Sequence, residues 1–123
     1  MYKQNLELLN LAKKLADITN SKTIIFHTGR KNKPNPVTNA IDFINKHKDK
    51  RIHLENSTSI TNSTTSTPQE MKDILQKTKT KSCFDINHAI ATANHLNKPV
   101  MPYIKQFLKL KPTHFHIGGQ KLN

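Results

Sequence analysis

The stretch from Cys83 to Ala89, which reads CFDINHA, decides how the rest of the chain is interpreted. A short apolar run ends at Asp85, and His88 follows three positions later. Alternation along a strand puts Cys83 and Asp85 on the same face of a sheet. A carboxylate and an imidazole placed this close together are able to bind a divalent metal ion or to transfer a proton.

Three other short apolar runs repeat this design. They end near His27, Glu55 and His116, and helical segments separate them along the chain. The four polar strand-end residues are spaced 28, 30 and 31 positions apart. This regular spacing is typical of successive β–α units with parallel strands. The sequence therefore predicts an α/β fold in a single domain over residues 1–123.

Apolar residues at helical spacing alternate with strand-like runs through the whole chain. The predicted helices cover residues 5–18, 37–47, 88–96 and 102–110, with one more that begins at a capping Thr67. The predicted strands cover residues 23–27, 51–55, 82–86 and 113–117. Residues 56–66, rich in Ser, Thr and Asn, are expected to form a mobile loop.

The two faces of the predicted strands differ in chemistry. One face of each strand is apolar and is expected to pack on helices, whereas the other carries a potential metal ligand at its carboxyl end. That end of a parallel α/β sheet is where ligands bind. Two carboxylates and several imidazoles suit Zn²⁺ or Mn²⁺. The predicted metal ligands are Glu55, Asp85 and His116, with His27 and His88 as further candidates.

The remaining histidines and the cysteine are interpreted differently. His53 and His114 lie one layer deeper on the ligand-bearing face, so we expect them to be hydrogen-bonded interior residues. His47 and His95 fall on helices, where a solvated surface position is expected. Cys83 is predicted to be a core residue, since no neighbour in the sequence lowers its pKa.

The chain is strongly basic. It has 20 Lys and Arg against 8 Asp and Glu, a net charge of +12, although the lysines are spread along the sequence. Such a charge favours a polyanionic partner, either nucleic acid or a phosphorylated substrate. Arg30, Lys31 and Lys33 follow His27 and are candidates for a phosphate contact. The alternative for them is a solvated basic loop.

The cysteine count and the hydropathy pattern bear on the compartment. A single cysteine excludes a disulfide within the chain and fits a reducing cytoplasm. The first ten residues lack the apolar core of a signal peptide. No apolar run approaches the roughly 20 residues of a membrane span. We therefore expect a cytoplasmic protein with no membrane partner.

In four motifs the chain resembles the xylose isomerase-like TIM-barrel superfamily. This superfamily holds sugar-phosphate isomerases and epimerases together with abasic-site endonucleases of the endonuclease IV type. The resemblance implies a partial (β/α) TIM barrel with about four parallel strands alternating with helices. The motifs, in the order of the superfamily, are IIFHTG at 24–29, HLEN at 53–56, CFDINHA at 83–89 and HFHIGG at 114–119.

The resemblance also implies roles for individual residues. In both branches Glu55, Asp85 and His116 would be metal ligands. In the isomerase and epimerase branch His88 would contact a sugar or sugar phosphate, and Glu55 would also be the catalytic acid or base. In the endonuclease branch His27 and His88 would be further zinc ligands, and the substrate would be DNA. A third alternative is an inactive remnant retained for binding.

The chain departs from the superfamily in its extent. The superfamily closes eight strands, and its last metal-binding glutamate has no counterpart here. Gly119 also stands where an acid is usual. A half-barrel leaves two open sheet edges, and open edges favour pairing with another chain. The expected partner is a second copy in a homodimer or a missing barrel half.

Overall fold

The computed structural model describes residues 1–119, which form one sheet of four parallel strands covered by helices. The strands lie side by side in chain order, and the sheet curls into an open half-barrel. The predicted α/β class with four parallel strands is therefore confirmed. The strands are β1 (Ile24–Phe26), β2 (Ile52–Glu55), β3 (Lys81–Asp85) and β4 (His114–His116).

Within residues 1–119, four α-helices and one short 3₁₀ helix (Ser59–Thr61) connect the strands, and a further α-helix precedes β1. The main core lies between the outer face of the sheet and the helices, around Leu54, Met71, Phe84 and Phe107. The α-helices are α1 (Tyr2–Thr19), α2 (Pro36–Lys46), α3 (Pro68–Thr78), α4 (Ile86–His95) and α5 (Val100–Leu108).

Strand β3 runs directly into helix α4. The carboxylate of Asp85 accepts a hydrogen bond from the backbone N–H of His88 at 3.0 Å, which makes Asp85 the N-cap of α4. An aspartate at this position satisfies one of the free N–H groups of the first helical turn. The predictions that the third strand ends at Ile86 and that the next helix begins at residue 88 are therefore wrong, because capping by Asp85 starts α4 at Ile86.

The segment 56–66, predicted to be a mobile loop, is instead buried at both ends, with only residues 60–62 exposed. Asn56 is buried, as are residues 63–66. The Thr65 hydroxyl donates to the carbonyl of Glu55 at 3.1 Å, and the Thr64 hydroxyl donates to the carbonyl of Gly29 at 3.0 Å. The hydroxyl and amide side chains thus provide the partners that buried backbone groups require.

The apolar face of the last strand departs from the predicted pattern. Phe115 is 53% exposed, and Ile117, just beyond β4, is 84% exposed. Helix α4 contacts β4 but leaves both of these side chains exposed. Helix α1 also turns apolar side chains to solvent, namely Leu8, Leu11, Leu15 and Ile18. Within residues 1–119, every helix is too short or too polar to cross a bilayer.

A capping box fixes the start of α3. The Thr67 hydroxyl accepts from the Glu70 N–H at 3.2 Å, and the Glu70 carboxylate accepts from the Thr67 N–H at 3.0 Å. We expect Thr67→Ala to lower the free energy of unfolding by about 1 kcal/mol, because a helical N–H loses its partner. Urea denaturation followed by circular dichroism measures this change.

The matched control is Thr19→Ala, since the exposed Thr19 hydroxyl only bonds back to Leu15 within α1. This substitution should change stability by about 0.5 kcal/mol or less. Equal losses in the two variants would contradict the assigned role of the capping box.

Candidate functional site

The register of the sheet gathers the predicted metal ligands at the carboxyl ends of the strands. Asp85 on β3 pairs with His116 on β4, and Glu55 on β2 pairs with Cys83, two positions before Asp85. One donor atom from each of Glu55, Asp85 and His116 lies within 4.8 Å of the other two. The three residues that the sequence singles out therefore meet on the inner face of the half-barrel.

Glu55 is the centre of this group. Its side chain is only 3% exposed, and both carboxylate oxygens face imidazoles. Oε2 lies 2.7 Å from Nε2 of His27, and Oε1 lies 2.5 Å from Nδ1 of His116. Burial alone would raise the pKa of Glu55, but the hydrogen bonds from His27 and His116 outweigh burial and lower it. Glu55 is therefore ionised at neutral pH, and the two facing nitrogens carry protons.

His27 is the member of the group that is most open to solvent, with a side chain that is 58% exposed. The hydrogen bond to Glu55 raises the pKa of His27, although its partial burial acts in the opposite direction. A protonated His27 is therefore favoured at a higher pH than for a free histidine. His27 therefore places an exposed imidazole between the buried carboxylate and solvent.

His88 lies beside Asp85 and is oriented by the backbone. Its Nδ1 is 2.8 Å from the carbonyl oxygen of Asn56 and 3.7 Å from Oδ2 of Asp85. A carbonyl oxygen only accepts, so Nδ1 carries the proton. In the neutral ring Nε2 is then the nitrogen with a free lone pair. This orientation is the one that metal-binding or substrate-binding histidines use.

Asn56 is a site residue that the sequence analysis missed. Its side-chain oxygen accepts from the N–H of Asp85 at 2.7 Å, and its amide donates to the carbonyl of Asp85 at 2.9 Å. Asn56 thus ties the end of β2 to the end of β3 and orients both Asp85 and His88. The HLEN motif contains Asn56, but its composition alone does not distinguish this position from the Asn-rich loop that follows.

Of the two deeper histidines, His53 is a hydrogen-bonded interior residue as predicted, whereas His114 is only half-buried. His53 is buried, with Nδ1 2.8 Å from the carbonyl of Arg51 and Nε2 3.1 Å from the Thr113 hydroxyl. Cys83 is fully buried. Burial, reinforced by the charges of Glu55 and Asp85, raises the pKa of its thiol to about 12. The thiol is therefore protonated at neutral pH, as the prediction of an unreactive core position requires.

The basic residues near the rim are only partly available for a phosphate. Lys31 forms an ion pair with Glu70, which belongs to the capping box of α3. Arg30 forms an isolated antiparallel bridge with Ser63. Both residues are exposed, but the Lys31 ammonium already has a carboxylate partner. The rim therefore offers less free positive charge than the sequence suggests.

The Glu55 cluster predicts a stability optimum in pH. The stabilisation from the lowered pKa of Glu55 is present above its ordinary value of 4.5 and is lost as the pH falls through the lowered value. The stabilisation from the raised pKa of His27 is complete below its ordinary value of 6.5 and is lost as the pH rises through the raised value. We expect the urea concentration at the midpoint of unfolding to be highest between these two pH values and to decrease at lower and at higher pH.

The variant His27→Gln should flatten the alkaline side of this profile, whereas His95→Gln, on the exposed end of α4, should leave it intact. Urea denaturation at a series of pH values makes the comparison. An unchanged alkaline slope in His27→Gln would show that the Glu55–His27 hydrogen bond does not contribute to stability.

Comparison with known proteins does not place this chain in a family. No family model matches it, and neither the curated proteins nor the solved structures with which it was compared gave a match.

Proposed function

We propose that this chain is a metal-dependent, isomerase- or epimerase-like protein that acts on a sugar or sugar phosphate through a partial TIM-barrel fold. The observation that supports this proposal best is the meeting of Glu55, Asp85 and His116, whose donor atoms lie within 4.8 Å of one another. These atoms lie at the carboxyl end of the parallel strands, where such folds bind their substrates.

The donor set fits a divalent ion. Two carboxylates and one imidazole suit Zn²⁺ or Mn²⁺, and His88 is available as a further ligand through Nε2. Glu55, Asp85 and His116 would hold the ion. When bound, such an ion supplies Lewis acidity toward neighbouring oxygens of a sugar.

The chain's own residues account for proton movement. An isomerase or epimerase of this kind shifts a proton at a carbon next to a carbonyl, which requires a base within reach of that carbon. Glu55 is the candidate base, since it is ionised at neutral pH, and its hydrogen bond to His27 gives the proton a route to solvent. His88, oriented by the Asn56 carbonyl, is the candidate substrate contact.

Metal binding is predicted to depend on Asp85. Asp85→Asn should weaken Mn²⁺ or Zn²⁺ binding by more than about 100-fold, since it removes a charged ligand and even outer-shell changes cost about 10–100-fold. Asparagine is also a good N-cap, so α4 should keep its start. Isothermal titration calorimetry on the purified, metal-free chain measures the affinity.

The control is Asp42→Asn, which removes the same charge from an exposed position on α2. It should bind the ion as tightly as the unmodified chain. Equal affinities in Asp85→Asn and Asp42→Asn would contradict the proposed site.

A second candidate function is that of a zinc-dependent abasic-site endonuclease. The net charge of +12 favours it, as do His27 and His88 beside the central trio, because these add imidazoles for further zinc ions. The engagement of Lys31 with Glu70 counts against it. This alternative requires more than one zinc ion per chain, whereas the isomerase proposal requires one ion.

One pair of assays separates the two functions. For the isomerase proposal, we expect metal-dependent exchange of substrate hydrogen with D₂O on a panel of ketoses and ketose phosphates, followed by NMR and abolished in Glu55→Gln. Cleavage of an abasic duplex without such exchange would support the endonuclease instead. Intact metal binding with neither activity would contradict both and leave a binding remnant.

A further inference from the structure

Beside the carboxylate trio the half-barrel holds a second donor group of different chemistry. Donor atoms of Cys83, His114 and His116 also lie within 4.8 Å of one another. Cys83 on β3 pairs directly with His114 on β4, and His116 follows on the same face. The group combines one sulfur with two imidazole nitrogens, and it shares only His116 with the carboxylate trio.

We propose that Cys83, His114 and His116 form a second site, which overlaps the first at His116, for a thiophilic divalent ion such as Zn²⁺. This inference goes beyond the proposed function, which uses the harder oxygen donors of Glu55 and Asp85. A thiolate with imidazoles is a donor set that selects Zn²⁺ over Mn²⁺ and Mg²⁺. A fourth ligand, water or substrate, would complete a tetrahedron, as in zinc sites with three protein ligands.

The distances fit this assignment. In tetrahedral zinc sites with Zn–N near 2.0 Å and Zn–S near 2.3 Å, ligand atoms lie about 3.5 Å apart. The donor atoms of Cys83, His114 and His116 lie within 4.8 Å of one another, so none exceeds that spacing by more than about 1.3 Å. Both histidines are partly exposed, so the imidazole side of the group is open to solvent.

Glu55 orients His116, one of the three proposed ligands, through a hydrogen bond. Its carboxylate faces Nδ1 of His116 at 2.5 Å, which fixes the proton on Nδ1. The lone pair of a neutral His116 is then on Nε2, ready for a metal. A carboxylate that orients a ligating histidine through its other nitrogen is a common feature of zinc sites, and its loss weakens metal binding about 10–100-fold.

The environment of Cys83 is also unusual for a core cysteine. Its register partners on the two sides are Glu55 and His114, so polar groups flank it within the sheet. Two carboxylates near a thiol hold it protonated, and an ion that binds the sulfur displaces that proton. The protonated thiol of the metal-free chain is therefore compatible with coordination.

Cobalt(II) absorption tests the proposal, because a thiolate bound to Co²⁺ gives a charge-transfer band that oxygen and nitrogen ligands do not give. Co²⁺ added to the purified, metal-free full chain should produce this band. Cys83→Ser, a substitution of similar size, should abolish it. His114→Ala, at a partly exposed position, should weaken Co²⁺ binding at least about tenfold.

The same experiment separates this proposal from the proposed function. Asp85→Asn should lose Mn²⁺ binding but keep the thiolate band, whereas Cys83→Ser should lose the band but keep Mn²⁺ binding. Glu55→Gln should keep the band with a weaker Co²⁺ affinity. Absence of the band in the unmodified chain, or its persistence in Cys83→Ser, would overturn the thiophilic site. Circular dichroism of each variant confirms that it is folded.

Discussion

The burial of the Glu55 carboxylate is the constraint on which the inner face of the half-barrel depends. An isolated buried carboxylate costs several kcal/mol, so it requires charged or hydrogen-bonding partners. The partners come from both edges of the sheet, His27 directly after β1 and His116 on β4. Because β1 and β4 are not neighbours in the sheet, these two hydrogen bonds join its outer strands across the interior and favour its curl.

Much of the fold follows from the pattern of apolar residues along the sequence. Short apolar runs that end in polar residues, at regular intervals and with helical segments between them, predicted the positions of all four strands. Their length and flanking residues identify them as strands, since periodicity alone does not over so few residues. Boundaries were less predictable, because they depend on hydrogen bonds of single side chains. Asp85 ends β3 by capping α4, whereas the alternation of Phe84, Asp85 and Ile86 also fits a strand that continues. Composition was misleading for 56–66, where hydroxyl groups serve buried backbone instead of solvent.

The site was predictable where it rests on alternation and unpredictable where it rests on distant contacts. The alternation of side chains along each strand predicted that Glu55, Asp85 and His116 share one face, and the structure brings them together. The role of Asn56 toward Asp85 joins positions 29 apart, so no local pattern encodes it. The exposure of Phe115 was missed for a related reason, since burial depends on whether a helix lies over that strand.

The side-by-side order of the strands has a consequence for how the chain folds. Partners in the sheet, such as Ile24 with Ile52 and Cys83 with His114, are separated by 28 to 31 positions. The chain entropy lost on closing each of these loops is therefore nearly the same, because it varies only with the logarithm of loop length. Loop closure therefore gives no pair of neighbouring strands a clear advantage over another as the first to form.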